Sequence, residues 1–370
     1  MHRLISVRKK NKQLGTTPRK SKEKDNKPSP QDPLERSKKT RSEKEVAQPS
    51  QAMTDEQTNR EKNIKRKQLV KFVKHVLEKG PSGLQKEFSS MKRFNDFEKM
   101  KAFKQAQERG KNRYKDVGCL DNNRVKLAPP WPYDYIHGNY VATPNNAKRF
   151  ICTQAPLEKT CADFWFMCLQ DKVEAIFMLC NLMEKGAKKC FEYYPSKDKT
   201  LEFEEKGHKI TVKFESSNKM KFSKSEAKVM ETVLIVEGQG ATLKTTHYHW
   251  VDWPDRGVPA ADMALCELLA KARLSKAPIV VHCSAGIGRT GSVVMIEYMM
   301  DQLLSGQVIE DSDKILQKIR EQRNNSIQTE HQYLFVHQVM MNYFMEKKMF
   351  DENAKLAHLD FTEKYYKAVH

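Results

Sequence analysis

Residues 277–292 read APIVVHCSAGIGRTGS. An apolar run, Ile279-Val280-Val281, ends at His282, a single cysteine follows, and Arg289 stands six positions further on with almost nothing bulky between them. The run has the composition of a buried strand, and the segment from about Thr290 reads as a helix, so residues 284–288 must turn a strand into a helix N-terminus. Successive N–H groups of such a loop, here those of Ser284, Ala285, Gly286, Ile287 and Gly288, point inward, and the helix adds its partial positive charge. Glycine lets the backbone come close to a ligand. Those dipoles stabilise a thiolate on Cys283, which makes it a nucleophile near neutral pH. Arg289 can hold two phosphate oxygens at once, which lysine cannot do. Phosphoryl transfer to Cys283 is the chemistry this pattern suits. A nucleotide loop of the G-x-x-x-x-G-K-[ST] kind needs a lysine where Arg289 stands.

Working outward, short apolar runs between turns predict strands near 140–141, 149–153, 175–179, 208–214, 226–237, 245–251 and 278–282. Helical spacing predicts helices over 68–77, 160–170, 261–275, 292–305, 311–323 and 330–347. The fold class is therefore α/β: a twisted mixed β-sheet flanked by helices, with the phosphate-binding loop between a strand and a helix N-terminus. Residues 1–70 carry 20 Lys/Arg against 9 Asp/Glu, so this fifth of the chain holds +11 of the formal +19. Rich in Lys, Ser, Pro and Gln and without aromatic residues, the first 60 or so positions cannot bury enough surface to offset chain entropy. The expected organisation is a disordered basic arm over 1–64, a catalytic domain over 65–349 and a short C-terminal tail over 350–370.

None of the eight cysteines forms a C-x-x-C pair, which speaks against a zinc site or a disulfide framework. Seven are expected as reduced core residues and Cys283 as an exposed, oxidisable thiol. No apolar run approaches the length of a membrane span, and the first residues lack the apolar core of a signal peptide. A cytoplasmic protein is expected, with VRKKNK and NIKRKQ as candidate nuclear import signals.

Residues 282–291, HCSAGIGRTG, resemble the signature H-C-S-x-G-x-G-R-[ST]-G of the phosphotyrosine-specific protein tyrosine phosphatases, with His282 and Thr290 as its supporting positions. The resemblance runs from about residue 65 to about 345 and points to a non-receptor member. It implies the family's fold, hydrolysis of phosphotyrosine on proteins through a phosphocysteine, and a set of further site residues. Residues 246–259, THYHWVDWPDRGVP, resemble the mobile acid loop, which makes Asp255 the general acid and then base and Trp253 the hinge anchor. Residues 112–117, NRYKDV, resemble the recognition loop, with Tyr114 as an aromatic wall and Asp116 as an acceptor for the substrate backbone. Residues 327–332, IQTEHQ, resemble the loop in which Gln328 orients the attacking water beside Gln332. Residues 183–190, MEKGAKKC, resemble the segment whose Glu184 pairs with Arg289 and whose Lys189 meets the closed acid loop.

The chain departs from the family in places. Ala155 replaces a glycine in TQAP, and His137-Gly138 replace an asparagine-alanine pair in DYIHGNYV; both are framework segments expected to leave catalysis alone. Asn324-Asn325 stand where relatives often carry a small residue, so bulk at Asn325 is expected to narrow access beside the pocket, and Arg256 follows the acid at a variable position. Phosphotyrosine-containing proteins are the implied partners. Arg289 and the loop amides neutralise the phosphoryl charge, so no cofactor and no metal is required. Two other classes stay open: a phosphotyrosine-binding module without turnover, against which the intact Asp255 and Gln328 speak, and nucleic acid or anionic membrane contact by the basic arm. Interspersed acids and the lack of stacking aromatics make that arm read as a solvated linker.

Overall fold

The structure is a computed structural model that describes residues 55–307 and 311–370. Among the described residues, nine strands make one sheet in the order β1 (Arg124–Lys126), β2 (Tyr135–Thr143), β3 (Asn146–Thr153), β11 (Ile279–His282), β4 (Ala175–Met178), β10 (Ala241–Trp250), β9 (Val229–Gly238), β8 (His208–Lys219) and β7 (Thr200–Glu205). A small ribbon, β5 (Met183–Glu184) with β6 (Ala187–Lys188), stands apart. Strands β3, β11, β4 and β10 run parallel, and the other neighbours pair antiparallel. Every residue of β4 and β11 is buried, which is why AIFM and IVVH are unbroken in apolar or neutral residues; β7 alternates exposed and half-buried positions instead.

Helix α5 (Gly288–Leu304) packs on β2 and β11 and against α6 (Ser312–Arg320) and α7 (Glu330–Glu346). It is buried on nearly every side, so it shows no amphipathic stripe. Helix α3 (Cys161–Gln170) packs across β7 to β10, and α2 (Lys101–Glu108) lies on β2, while α4 (Ala264–Ala272) follows the acid loop. Helix α1 (Asp55–Ser90) buries Leu69, Phe72, Val73 and Val76, the stripe expected from the sequence, and Phe72 meets Phe344 of α7 edge-on at 6.1 Å. Gly80, with φ 63°, breaks α1, and Pro81 restarts it at once, so the turn there is a kink and not an end.

The domain limits differ from those expected. Residues 1–54 of the expected basic arm lie outside the described residues, and 55–64 already belong to α1. The expected tail is a helix, α8 (Glu352–Val369), capped by Asp351, which packs on α1 and α7 and buries Phe361 and Tyr365. Only three of its side chains are buried, one face among many lysines and glutamates, too sparse a signal to separate from a solvated tail.

Candidate active site

In an open sheet with parallel strands, ligands gather at the carboxyl ends of those strands. The four parallel strands end level with one another: His282 lies opposite Thr153 and Met178, and Met178 opposite His249. Each end delivers one part of a site. Strand β3 leads to Gln154 and Ala155, β11 to Cys283, β4 through residues 179–182 to Glu184, and β10 to the loop 251–259 that carries Asp255.

The loop after β11 is held entirely from outside. The carbonyl of Ser284 accepts from Ala155 N at 3.0 Å and that of Ile287 from Ile327 N at 2.9 Å. Arg323 Nε donates to Gly286 O at 3.0 Å, and its Nη2 donates to Ala285 O at 3.3 Å. With carbonyls 284 to 287 satisfied outward, the amides are left to face inward. Gly286 N–H donates to Cys283 Sγ at 3.2 Å. Gly286 has φ 71°, and a Cβ there would stand 2.0 Å from Thr153 O, so only glycine fits. Cys283 is not exposed as the sequence reading had it: it is 3% accessible, on the floor of a cavity of about 150 Å³. Burial would raise its pKa, but Arg289 together with hydrogen bonds from Thr290 and Gly286 outweighs burial and leaves it lowered.

Arg289 is gripped as a fork. Its Nη1 and Nη2 donate to the two carboxylate oxygens of Glu184 at 2.6 and 2.8 Å, and Nη1 also reaches Trp253 O at 3.2 Å. Asp255 stands between two cations: Oδ1 lies 3.3 Å from Arg289 Nη2 and Oδ2 3.0 Å from Lys189 Nζ. Partial burial would raise the Asp255 pKa, yet Lys189 and Arg289 hold it below the usual carboxylate value. Trp253 is buried edge-on between Trp250 and Phe335, at ring distances of 5.1 and 5.5 Å.

Tyr114 leans on the loop through a 2.8 Å hydrogen bond between its hydroxyl and Ser284 Oγ, and packs with Val117, Ala285 and Ile287. Gln154 holds the recognition loop from behind, accepting from Arg113 N at 2.8 Å. Asp116 is exposed at the rim. Gln328 and Gln332 close the opposite side, Gln332 Oε1 accepting from Gln328 N at 2.9 Å. His282 is fully buried; its Nε2 lies 2.6 Å from the Tyr193 hydroxyl, and burial pushes its pKa down to about 3, so the residue before the nucleophile is neutral. Asn324 and Asn325 line a different cavity from that of Cys283: both donate to Asn95 Oδ1, at 2.7 and 3.2 Å, and Asn95 in turn donates to Asp116 O at 2.9 Å.

The structure thus brings Cys283, Ser284, Ala285, Arg289, Asp255, Lys189, Tyr114, Asp116, Gln328 and Gln332 to one cavity, while His282, Gly286, Ile287, Gly288, Thr290, Glu184 and Trp253 do not line it; it adds Arg323, Gln154 and Tyr193, which sequence reasoning passed over. Arg323 had a signal. It stands four positions after Ile319, in line with the apolar stripe of Ile315, Leu316 and Ile319 but just beyond the end of α6, and a buried arginine must have internal partners. Gln154 and Tyr193 carried no comparable signal.

A sheet with four parallel strands, a strand-to-helix anion loop, a cysteine in it and an arginine fork define a phosphatase architecture. The family model for protein-tyrosine phosphatase matches residues 108–342, and the chain belongs to that family. It is 32% identical over 303 residues to human receptor-type tyrosine-protein phosphatase zeta, spanning 75% of this chain and 13% of that protein. It is 34% identical over 235 residues to human tyrosine-protein phosphatase non-receptor type 2, spanning 62% of this chain and 55% of that one. The chain therefore covers from 13% to 55% of the length of these two relatives. Among solved structures, the catalytic domain of human protein tyrosine phosphatase non-receptor type 18 superposes with a TM-score of 0.60 at 30% identity, covering 66% of this chain and 88% of that one. No helix among the described residues is long and apolar enough to cross a membrane.

Proposed function

We propose that this protein hydrolyses phosphotyrosine on proteins through a phosphocysteine on Cys283. The observation that carries the reading is the sulfur on the cavity floor, hydrogen-bonded by Gly286 N–H, with the Arg289 fork oriented by Glu184. A phosphotyrosine dianion enters between Tyr114 and Gln328, its oxygens taken by Arg289 and the amides of 284–288. The thiolate attacks phosphorus: the S–P bond forms, the P–O bond to the ring breaks, and the leaving phenolate takes the Asp255 proton. A water oriented by Gln328 then attacks the phosphocysteine. Asp255 removes its proton, the S–P bond breaks, and thiolate, protonated Asp255 and phosphate result.

The resting ion pairs of Asp255 fit this cycle. Without substrate, Lys189 and Arg289 hold the carboxyl ionised. An incoming dianion satisfies Arg289 and places negative charge beside Asp255, which raises its proton affinity when an acid is needed. The residue wall at Tyr114 makes the slot deep enough for an aryl phosphate, so phosphoserine peptides should be poor substrates. Purified protein should release p-nitrophenol from p-nitrophenyl phosphate and phosphate from phosphotyrosine peptides, with the Cys283→Ser variant as blank. Product no greater than that blank would leave a phosphotyrosine-binding module instead.

A further inference from the structure

His137 sits on β2, separated by β3 from β11, the strand that leads to Cys283, and is fully buried. Its position, a departure from the family's asparagine, was expected to be framework. Its contacts are with the two loops that make the site. Arg323 Nη2 lies 3.2 Å from His137 Nδ1, and His137 Nε2 lies 2.8 Å from Val117 O. A guanidinium can only donate, so Nδ1 must present its lone pair and Nε2 must carry the proton that goes to Val117 O. Burial and then the Arg323 charge push the His137 pKa down to about 3, which keeps that neutral form. Phe103 covers the ring edge-on at 5.8 Å.

The same guanidinium holds Gly286 O and Ala285 O, and Val117 ends the recognition loop that begins at Asn112 and carries Tyr114. One chain of hydrogen bonds therefore runs from the anion loop through Arg323 and His137 to the recognition loop. On the reading given above, we infer that His137 is a positioning residue: it sets the spacing between the wall at Tyr114 and the phosphate seat, and so the fit of the phosphotyrosine ring. The phosphate seat does not depend on it, because Arg323 keeps Gly286 O and also donates to Asn139 Oδ1 at 2.9 Å. The two ring nitrogens make the inference divisible. Asparagine can offer an oxygen near the place of Nδ1 but cannot reach Val117; glutamine can place an N–H near Nε2 but gives up the Arg323 contact.

The test compares full-length His137→Asn and His137→Gln with the unsubstituted protein. In His137→Asn, leaving Val117 O without its donor should raise KM for a phosphotyrosine peptide about tenfold, with kcat and competitive inhibition by inorganic phosphate within about twofold. In His137→Gln, KM should return to within about twofold of that of the unsubstituted protein. Amide hydrogen exchange, which needs no turnover, should quicken over 112–118 in the asparagine variant and stay unchanged over 284–288. An unchanged KM in His137→Asn, equal loss of kcat in both variants, or exchange that quickens equally in both loops would overturn the inference. Quickened exchange confined to 112–118 in a protein that turns over no phosphotyrosine peptide would keep the loop coupling while refuting the catalytic reading and, with it, the effect on substrate fit.

Discussion

Two loops meet over the same sulfur, and they are built in opposite ways. Every residue from Cys283 to Thr290 is buried, and carbonyls 284 to 287 are each fixed by a partner outside the loop. From 251 to 260 the acid loop is mostly exposed or half-buried, with Trp253 as its one buried side chain. Its position rests on Trp253 packing, on Trp253 O to Arg289, and on the two ion pairs of Asp255. Arg256, at φ 61°, adds a residue in the left-handed region, a cost of roughly 1–2 kcal/mol that these contacts must offset. A preorganised anion seat needs no movement, because phosphate charge must be met at once. An acid that has to admit substrate and release product is better held by pairs the substrate can displace.

The sharpest break in this comparison lies in the rigid loop. Cys283→Ser should abolish turnover while a phosphotyrosine peptide still binds, measured by calorimetry beside a phosphatase assay. On the mobile side, Asp255→Ala should lower kcat by about 10²–10⁴-fold, the range of lost general acid catalysis, with less change in KM. Unchanged kcat would remove Asp255 from the mechanism. Glu184→Gln, which weakens the Arg289 fork shared by both loops, should reduce kcat/KM about 10- to 100-fold, by analogy with other groups that orient a ligand-binding residue. Lys189→Ala should have the smallest effect and a signed one. Lys189 helps hold the Asp255 pKa down, so its loss raises that pKa, and the limb on which kcat/KM falls with rising pH should move to higher pH. A shift to lower pH, or none, would mean that Lys189 does not govern the acid.

The contrast between the loops also separates what was legible in the sequence from what was not. The rigid loop could be read from one short run, because strand, glycine, thiol and arginine must follow one another in the chain for the cradle to form. The two central strands could be anticipated too, since AIFM and IVVH lack the alternation of half-exposed strands. Contacts between distant segments could not. Arg323 binds carbonyls 37 and 38 positions away; its spacing from Ile319 points to burial but not to those partners, and nothing local distinguishes His137, which joins β2 to both loops, from framework. Burial of Cys283 was missed for the same reason: a reactive thiol looked exposed, whereas it is the surrounding dipoles and Arg289 that keep a buried sulfur ionisable. Helix α8 was missed because it buries only His358, Phe361 and Tyr365.

The most direct measurement is of the covalent step itself. Acid-quenching the Gln328→Ala variant, which should hydrolyse the intermediate more slowly, during turnover of a phosphotyrosine peptide should give a single phosphoryl group on the peptide that contains Cys283, seen by mass spectrometry and absent from Cys283→Ser. Steady release of phosphate with no phosphorylated Cys283 at any quench time would contradict nucleophilic attack by that sulfur.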